Sequence, residues 1–169
     1  MKRLTLTLLA LILTSIAYSQ DSFYITKRVD AMSDKVYYAP NQGIIVANPE
    51  QTMAFRLDMF FGHKLEFRMI TATIVGIGSC HEADGLIILF ENGEKLKSVA
   101  WNKFNCDGDA YFYVTKEGLA LLKTQPMKTI RITNGYTYDS YTGDVDESDK
   151  NYFIKLFYEL SLGRYILIK

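Results

Sequence analysis

The side chains best suited to chemistry gather in three short stretches: Cys80-His81-Glu82-Ala83-Asp84, Cys106-Asp107-Gly108-Asp109 and Asp144-Val145-Asp146-Glu147-Ser148. A thiol beside an imidazole suggests a nucleophile and its base. Neighbours in an extended chain point to opposite faces, however, so Cys80 and His81 do not form that dyad. A calcium loop needs oxygen ligands at its first, third and fifth positions, glycine at the sixth and glutamate at the twelfth. Counting from Asp107, Ala110 breaks the series; counting from Asp144, Asp149 replaces the glycine and Lys155 the glutamate. With only His63 and His81, no histidine pair has transition-metal spacing. No serine sits in a G-x-S-x-G elbow, and "GIGSCH" lacks the third glycine of a dinucleotide loop. The expectation is a non-catalytic chain without metal or cofactor. Glycan hydrolysis is the alternative, and it requires two of Asp107, Asp109, Asp139 and Asp144 to converge in one cleft.

One stretch points to binding. "NGYTYDSYTGD" puts Tyr136 and Tyr138 on one strand face, with Asp139 between them and Tyr141. Aromatic rings flanked by carboxylates and amides stack sugars and hydrogen-bond their hydroxyls. Ordinary packing at a sheet edge is the simplest reading of the same residues, and a protein-interaction patch is the third.

The ends and composition set the setting. Lys2 and Arg3, an apolar run from Leu4 to Ile16 and the spacing Ala17-x-Ser19 read as a secretory signal peptide over residues 1–19, cleaved before Gln20. Nothing later is apolar for long enough to span a bilayer. Residues 20–169, about 150 in number, suit a single domain. Without Lys2 and Arg3, 17 basic residues face 19 acidic ones, which gives no electrostatic case for nucleic acid or an anionic membrane. The expected location is periplasmic or secreted, with a protein or glycan of the cell envelope as partner. In such an oxidising compartment the two cysteines, Cys80 and Cys106, are expected to form a disulfide, with Gly108 giving the following turn its freedom and the aspartates bonding locally.

The elements that must position these groups are mostly strands. "TMAFRLDMFF" alternates strictly, Met53, Phe55, Leu57, Met59 and Phe61 opposing Arg56 and Asp58, and "KLEFRM" resumes the alternation. A three-residue loop at Gly62, His63 and Lys64 would pair Phe61 with Leu65 and set Asp58 opposite Arg68. "LIILF" and "KLKSVAW" flank Asn92-Gly93, which favours a type I′ hairpin. Thr115 is placed to cap a short helix through about Lys123, and Ser148 a second helix stopped by Gly163. The fold expected is mainly β, an antiparallel sandwich-like domain with one short helix and a C-terminal helix.

"VDAMSDKVYY", "GSCHEADGLIILFENGEKL", "FNCDGDAYFYVTKEGLALLK" and "KTIRITNG" together resemble small exported proteins of unknown function from Bacteroidetes-type bacteria. The resemblance implies an extracytoplasmic, mainly β domain ending in a helix. It carries no activity to any residue.

Overall fold

The computed structural model describes residues 23–50, 54–62, 68–75, 84–101, 108–135 and 137–168. Cys80, Cys106, Asp107, Tyr136 and both histidines lie outside the described residues, as do residues 1–19. Among those described, the strands are β1 (Ile25–Val29), β2 (Val36–Pro40), β3 (Ile44–Ala47), β4 (Ala54–Phe61), β5 (Arg68–Val75), β6 (Gly85–Phe90), β7 (Lys95–Val99), β8 (Asp109–Tyr113), β9 (Met127–Thr133), β10 (Ser140–Asp144) and β11 (Tyr165–Ile168). The helices are α1 (Lys116–Thr124) and α2 (Tyr152–Ser161). A seven-stranded sheet runs β11-β1-β2-β4-β5-β8 with β3 also beside β4, and a four-stranded sheet runs β10-β9-β6-β7. Neighbours are antiparallel except β1 and β11, which are parallel. No helix among the described residues is long and apolar enough to cross a membrane.

Period-two alternation builds the core between the two sheets. Phe55, Leu57, Met59 and Phe61 of β4, Ile70, Ala72 and Ile74 of β5, and Ala110 and Phe112 of β8 meet Leu86, Ile88, Phe90, Leu96, Ile130 and Ile132 from the small sheet. Each large side chain buried this way stabilises by about 1.5–3 kcal/mol before chain entropy is counted. The sheets meet along two seams. At one, the chain leaving β7 crosses onto β8 through an Ala100–Phe112 bridge and a 2.7 Å hydrogen bond from Trp101 N to Tyr111 O. At the other, Gly143 of β10 lies so close to β3 that a Cβ there would collide with the Ala47 carbonyl. The helices close one open end: Leu122 of α1 and Phe153, Leu156 and Leu160 of α2 are buried, and Phe157 meets Phe61 edge-on at 5.8 Å.

Several local expectations hold. Thr115 accepts a 3.1 Å hydrogen bond from Gly118 N and caps α1, and Gly163, at φ 66°, ends the C-terminal helix. Others are corrected. The β4–β5 register pairs Phe61 with Arg68 and Asp58 with Thr71, not Phe61 with Leu65 and Asp58 with Arg68. It wins because Phe55, Leu57 and Met59 then oppose Ile74, Ala72 and Ile70, all of them buried. The β6–β7 turn is not type I′, because only Gly93 (φ 87°) has positive φ there. Gly93 N donates to Phe90 O and Phe90 N to Glu94 O, each at 3.0 Å, the pattern of a type I turn followed by a glycine bulge. The second helix starts at Tyr152 rather than behind Ser148. Residues 147–151 form a turn tied to β9 through the 2.9 Å bond from Met127 N to Lys150 O, and Lys150 Nζ holds Glu91 and Glu147 at 2.7 Å each.

Candidate functional site

The tyrosine stretch does not assemble as expected. Tyr138 is in the turn between β9 and β10, not on a strand, with left-handed backbone (φ 62°) and a ring 83% exposed. The turn itself is well anchored: Tyr138 N donates to Asn134 O at 2.8 Å, Thr137 N to Asn134 Oδ1 at 3.2 Å, and Gly135 N to the buried Asp84 carboxylate at 3.3 Å. Tyr141, on β10, turns inward and rests its ring against Phe55 at 5.4 Å. Burial raises the Tyr141 phenol pKa and the Asp139 charge adds to the rise. Tyr141 lines a shallow cleft of about 390 Å3 with Asn48, Pro49, Glu50 and Asp144, and Tyr138 is not among its walls. The two described tyrosines are thus separated, one packing and one in solvent.

The carboxylates also part company. Asp109 stands on the outer face of the large sheet, where Thr73 Oγ1 donates to it at 2.6 Å and the Tyr111 hydroxyl at 3.4 Å. These are cross-strand and same-face bonds rather than local turn bonds, although Gly108 is left-handed as expected (φ 84°). Asp144 stands on the outer face of the small sheet, accepting from Thr129 Oγ1 at 2.7 Å. Asp139 is in the β9–β10 turn. Asp109, Asp139 and Asp144 therefore do not converge. Among the described residues no group of three histidine, cysteine or acidic side chains is placed to hold a metal ion.

A different surface brings chemistry together. Because β4 turns Phe55, Leu57, Met59 and Phe61 inward, it presents Arg56, Asp58 and Phe60 outward. Register then builds three cross-strand rows on the outer face: Phe60, Met69 and Tyr113; Asp58, Thr71 and Tyr111; Arg56, Thr73 and Asp109. The first row extends at both ends, Tyr37 of β2 stacking on Phe60 (5.2 Å, 30°) and Trp101 meeting Tyr113 edge-on (6.1 Å, 74°). Trp101 is 60% exposed. Beside this stripe Arg56 Nη2 reaches Asp58 Oδ2 at 3.5 Å. Burial pushes the Asp58 carboxyl above its ordinary pKa, Arg56 pulls it back, and the Asp109 charge adds to the rise.

The same face contains a cleft of about 400 Å3, and the sheet topology explains it. One edge of β4 is shared by two strands: β3 pairs with Ala54 to Leu57, and β2 reaches β4 only at Tyr38 and Phe61. Between them Asp58 to Phe60 have no strand partner on that edge among the described residues. Arg28, Tyr37, Ala39, Arg56, Asp58 and Phe60 are among the residues around the opening. Tyr24 N donates to Asn41 Oδ1 at 2.8 Å and Asn41 N to Tyr24 O at 3.0 Å, which fixes one rim. Next to the gap, the buried Tyr152 of α2 donates its hydroxyl to Gln42 O at 2.7 Å. Burial raises that phenol's pKa strongly, and the charge of Asp58 raises it further.

Sequence reasoning had Arg56 and Asp58 on the polar side of β4 and missed what they join. The available signal was Phe60, an apolar ring on the otherwise charged side of a strictly alternating strand. No protein-family model, curated protein or solved structure matches the chain.

Proposed function

We propose that the chain is an exported, non-catalytic binding domain that takes its ligand, a glycan of the cell envelope, on the outer face of the large sheet. One observation carries this reading: the half-buried Tyr37–Phe60 stack and the exposed Trp101–Tyr113 pair lie along one outer-face row, joined through the buried Met69, beside the Arg56–Asp58 pair and an open cleft. Rings supply flat contact area, and a few fixed polar groups set the orientation of what lies on them. Export rests on the apolar leader, and the proposed location is periplasmic or secreted. A Cys80–Cys106 disulfide belongs to the same reading. Its support comes from the roots of the two loops, which are bonded to each other by Ala100 N to Asp84 O at 2.7 Å and Ile74 N to Gly108 O at 3.1 Å.

The experiment is retention on immobilised polysaccharides, comparing the native chain with Tyr37→Ala and Tyr138→Ala. Retention lost in the first variant and kept in the second is the expected result. The reverse result places the ligand at the β9–β10 turn.

A second reading, hydrolysis of a glycosidic bond, is favoured by two carboxylates on one face, Asp58, whose pKa burial raises and the Asp109 charge raises further, and Asp109 itself. Release of reducing ends from a retained polysaccharide, abolished in Asp58→Asn, would establish it.

A further inference from the structure

We infer that the cleft between β2 and β4 accepts a carboxylated sugar, a uronic acid unit, with the sugar ring against Tyr37 and Phe60 and its carboxylate on Arg28. The inference rests on the binding reading above and narrows it to a ligand class.

The cleft volume, about 400 Å3, is within the range of small-molecule sites and suits a short saccharide better than a macromolecular segment. Its charge is uneven in a chain whose formal net charge is zero. Two guanidinium groups, Arg28 and Arg56, and one carboxylate, Asp58, line the opening. Arg56 is engaged with Asp58 at 3.5 Å. The Arg28 side chain is exposed and makes no hydrogen bond or ion pair with the described residues, so its fork of N–H donors is available to an incoming carboxylate.

The register explains why Arg28 arrives there. β1 pairs with β2 so that Arg28 opposes Tyr37 and Thr26 opposes Ala39, and Tyr37 in turn stacks on Phe60. A cation and an aromatic platform are therefore fixed by adjacent strands rather than by loops. The Thr26 hydroxyl is already satisfied by Ala39 O at 2.9 Å. It leaves no buried donor that a neutral sugar is needed to satisfy. A neutral hexose gains only the rings and loses the one unpaired charge; a uronate gains both.

The test is calorimetric titration of the full mature chain with trigalacturonate and, separately, with maltotriose as a neutral trisaccharide. Expected is binding of the acidic probe at least ~10-fold tighter than the neutral one, the size of one charge-assisted contact. Its affinity should fall as salt rises. Arg28→Gln, at an exposed position where folding is checked by an unchanged melting curve, should lose that ~10-fold and bind both probes alike. Tyr37→Ala should weaken both probes together. Equal binding of the two probes by the native chain, or full acidic-probe affinity in Arg28→Gln, overturns the inference. So does an absence of trigalacturonate binding. If Tyr37-dependent polysaccharide retention nevertheless persists, the binding reading stands and only the acidic-sugar assignment fails.

Discussion

The outer faces of the two sheets are built from the same alternation and end in opposite conditions. On the small sheet the polar groups satisfy one another in rows: Thr129 with Asp144 at 2.7 Å, Arg131 Nε with Thr142 at 2.9 Å, and Thr133 with Ser140 at 2.8 Å. Ile87 and Leu89 fill the middle, between those rows and Lys95 and Lys97. On the large sheet Thr73 and Tyr111 satisfy Asp109 in the same way, but the row beside β2 is left open. There β4 runs out of strand partner, rings stack at the edge, and Arg28 faces solvent. Both faces carry clefts and exposed cations, but the large-sheet cleft has the stacked Tyr37–Phe60 pair in its wall, whereas the small-sheet cleft over Ile87 and Leu89 has no ring in its wall. This difference, rather than the count of aromatic residues, locates the proposed site.

The comparison depends first on the seams that keep the two faces apart. Gly143→Val puts side-chain atoms into the Ala47 carbonyl, a backbone group, and the Val46 side chain. A loss of at least ~3 kcal/mol, or failure to fold, is expected in urea unfolding, at the upper end of overpacking costs. Gly85→Ala, whose new Cβ would approach nothing among the described residues nearer than 3.8 Å, should be tolerated in the same assay. Cys106→Ser should lower stability by roughly 3 kcal/mol if the proposed disulfide closes the loop between the cysteines. Protein purified from an oxidising compartment should then give no free thiol after denaturation, and two free thiols would remove the staple from the account.

Smaller changes separate the faces themselves. Thr129→Val breaks one internal bond of the small-sheet face, at a cost of about 0.5–1 kcal/mol read by chemical denaturation, and should leave polysaccharide retention intact. Loss of retention in that variant would put ligand on the wrong sheet. The smallest stability effect concerns Asp58. Its folded carboxyl holds a proton more tightly than the unfolded chain does, mainly because it is buried, so the ionised form weighs against folding. The stability it contributes is therefore present at low pH and lost as pH rises through its folded pKa. Asp58→Asn should raise the melting temperature at neutral pH, and the gain should shrink as pH falls through the raised folded pKa towards the ordinary carboxylate value and vanish below it, where folded and unfolded chains are both protonated. A gain that grows on acidification would reverse the assigned cause.

The β class was legible because alternation in β4 and β6 is a local signal that the tertiary fold merely uses. Thr115 and Gly163 were legible for the same reason, since caps act within a turn of chain. What escaped was set over longer range. The β5 register was decided by Ile70, Ala72 and Ile74 meeting a β4 face that a local hairpin argument tied to the wrong partners. The division of one β4 edge between β2 and β3, which opens the cleft, has no local signature at all. Tyr138 looked like a strand residue by spacing, yet Asn134 and Asp84 hold its segment in a turn that sends it to left-handed backbone. With Tyr136 outside the described residues, Tyr138 in a turn and Tyr141 packed inward, the ring pairs that strand pairing assembles are instead Tyr37 with Phe60 and Trp101 with Tyr113.

The most direct measurement is the map of backbone amide shifts on titrating the isotope-labelled mature chain with trigalacturonate. The account predicts perturbations at Thr26, Arg28, Tyr37, Ala39, Arg56, Asp58 and Phe60, with the small-sheet rows at Thr129, Arg131 and Thr142 unmoved. Shifts confined to Tyr138 through Asp144, or to the small-sheet rows, would contradict it.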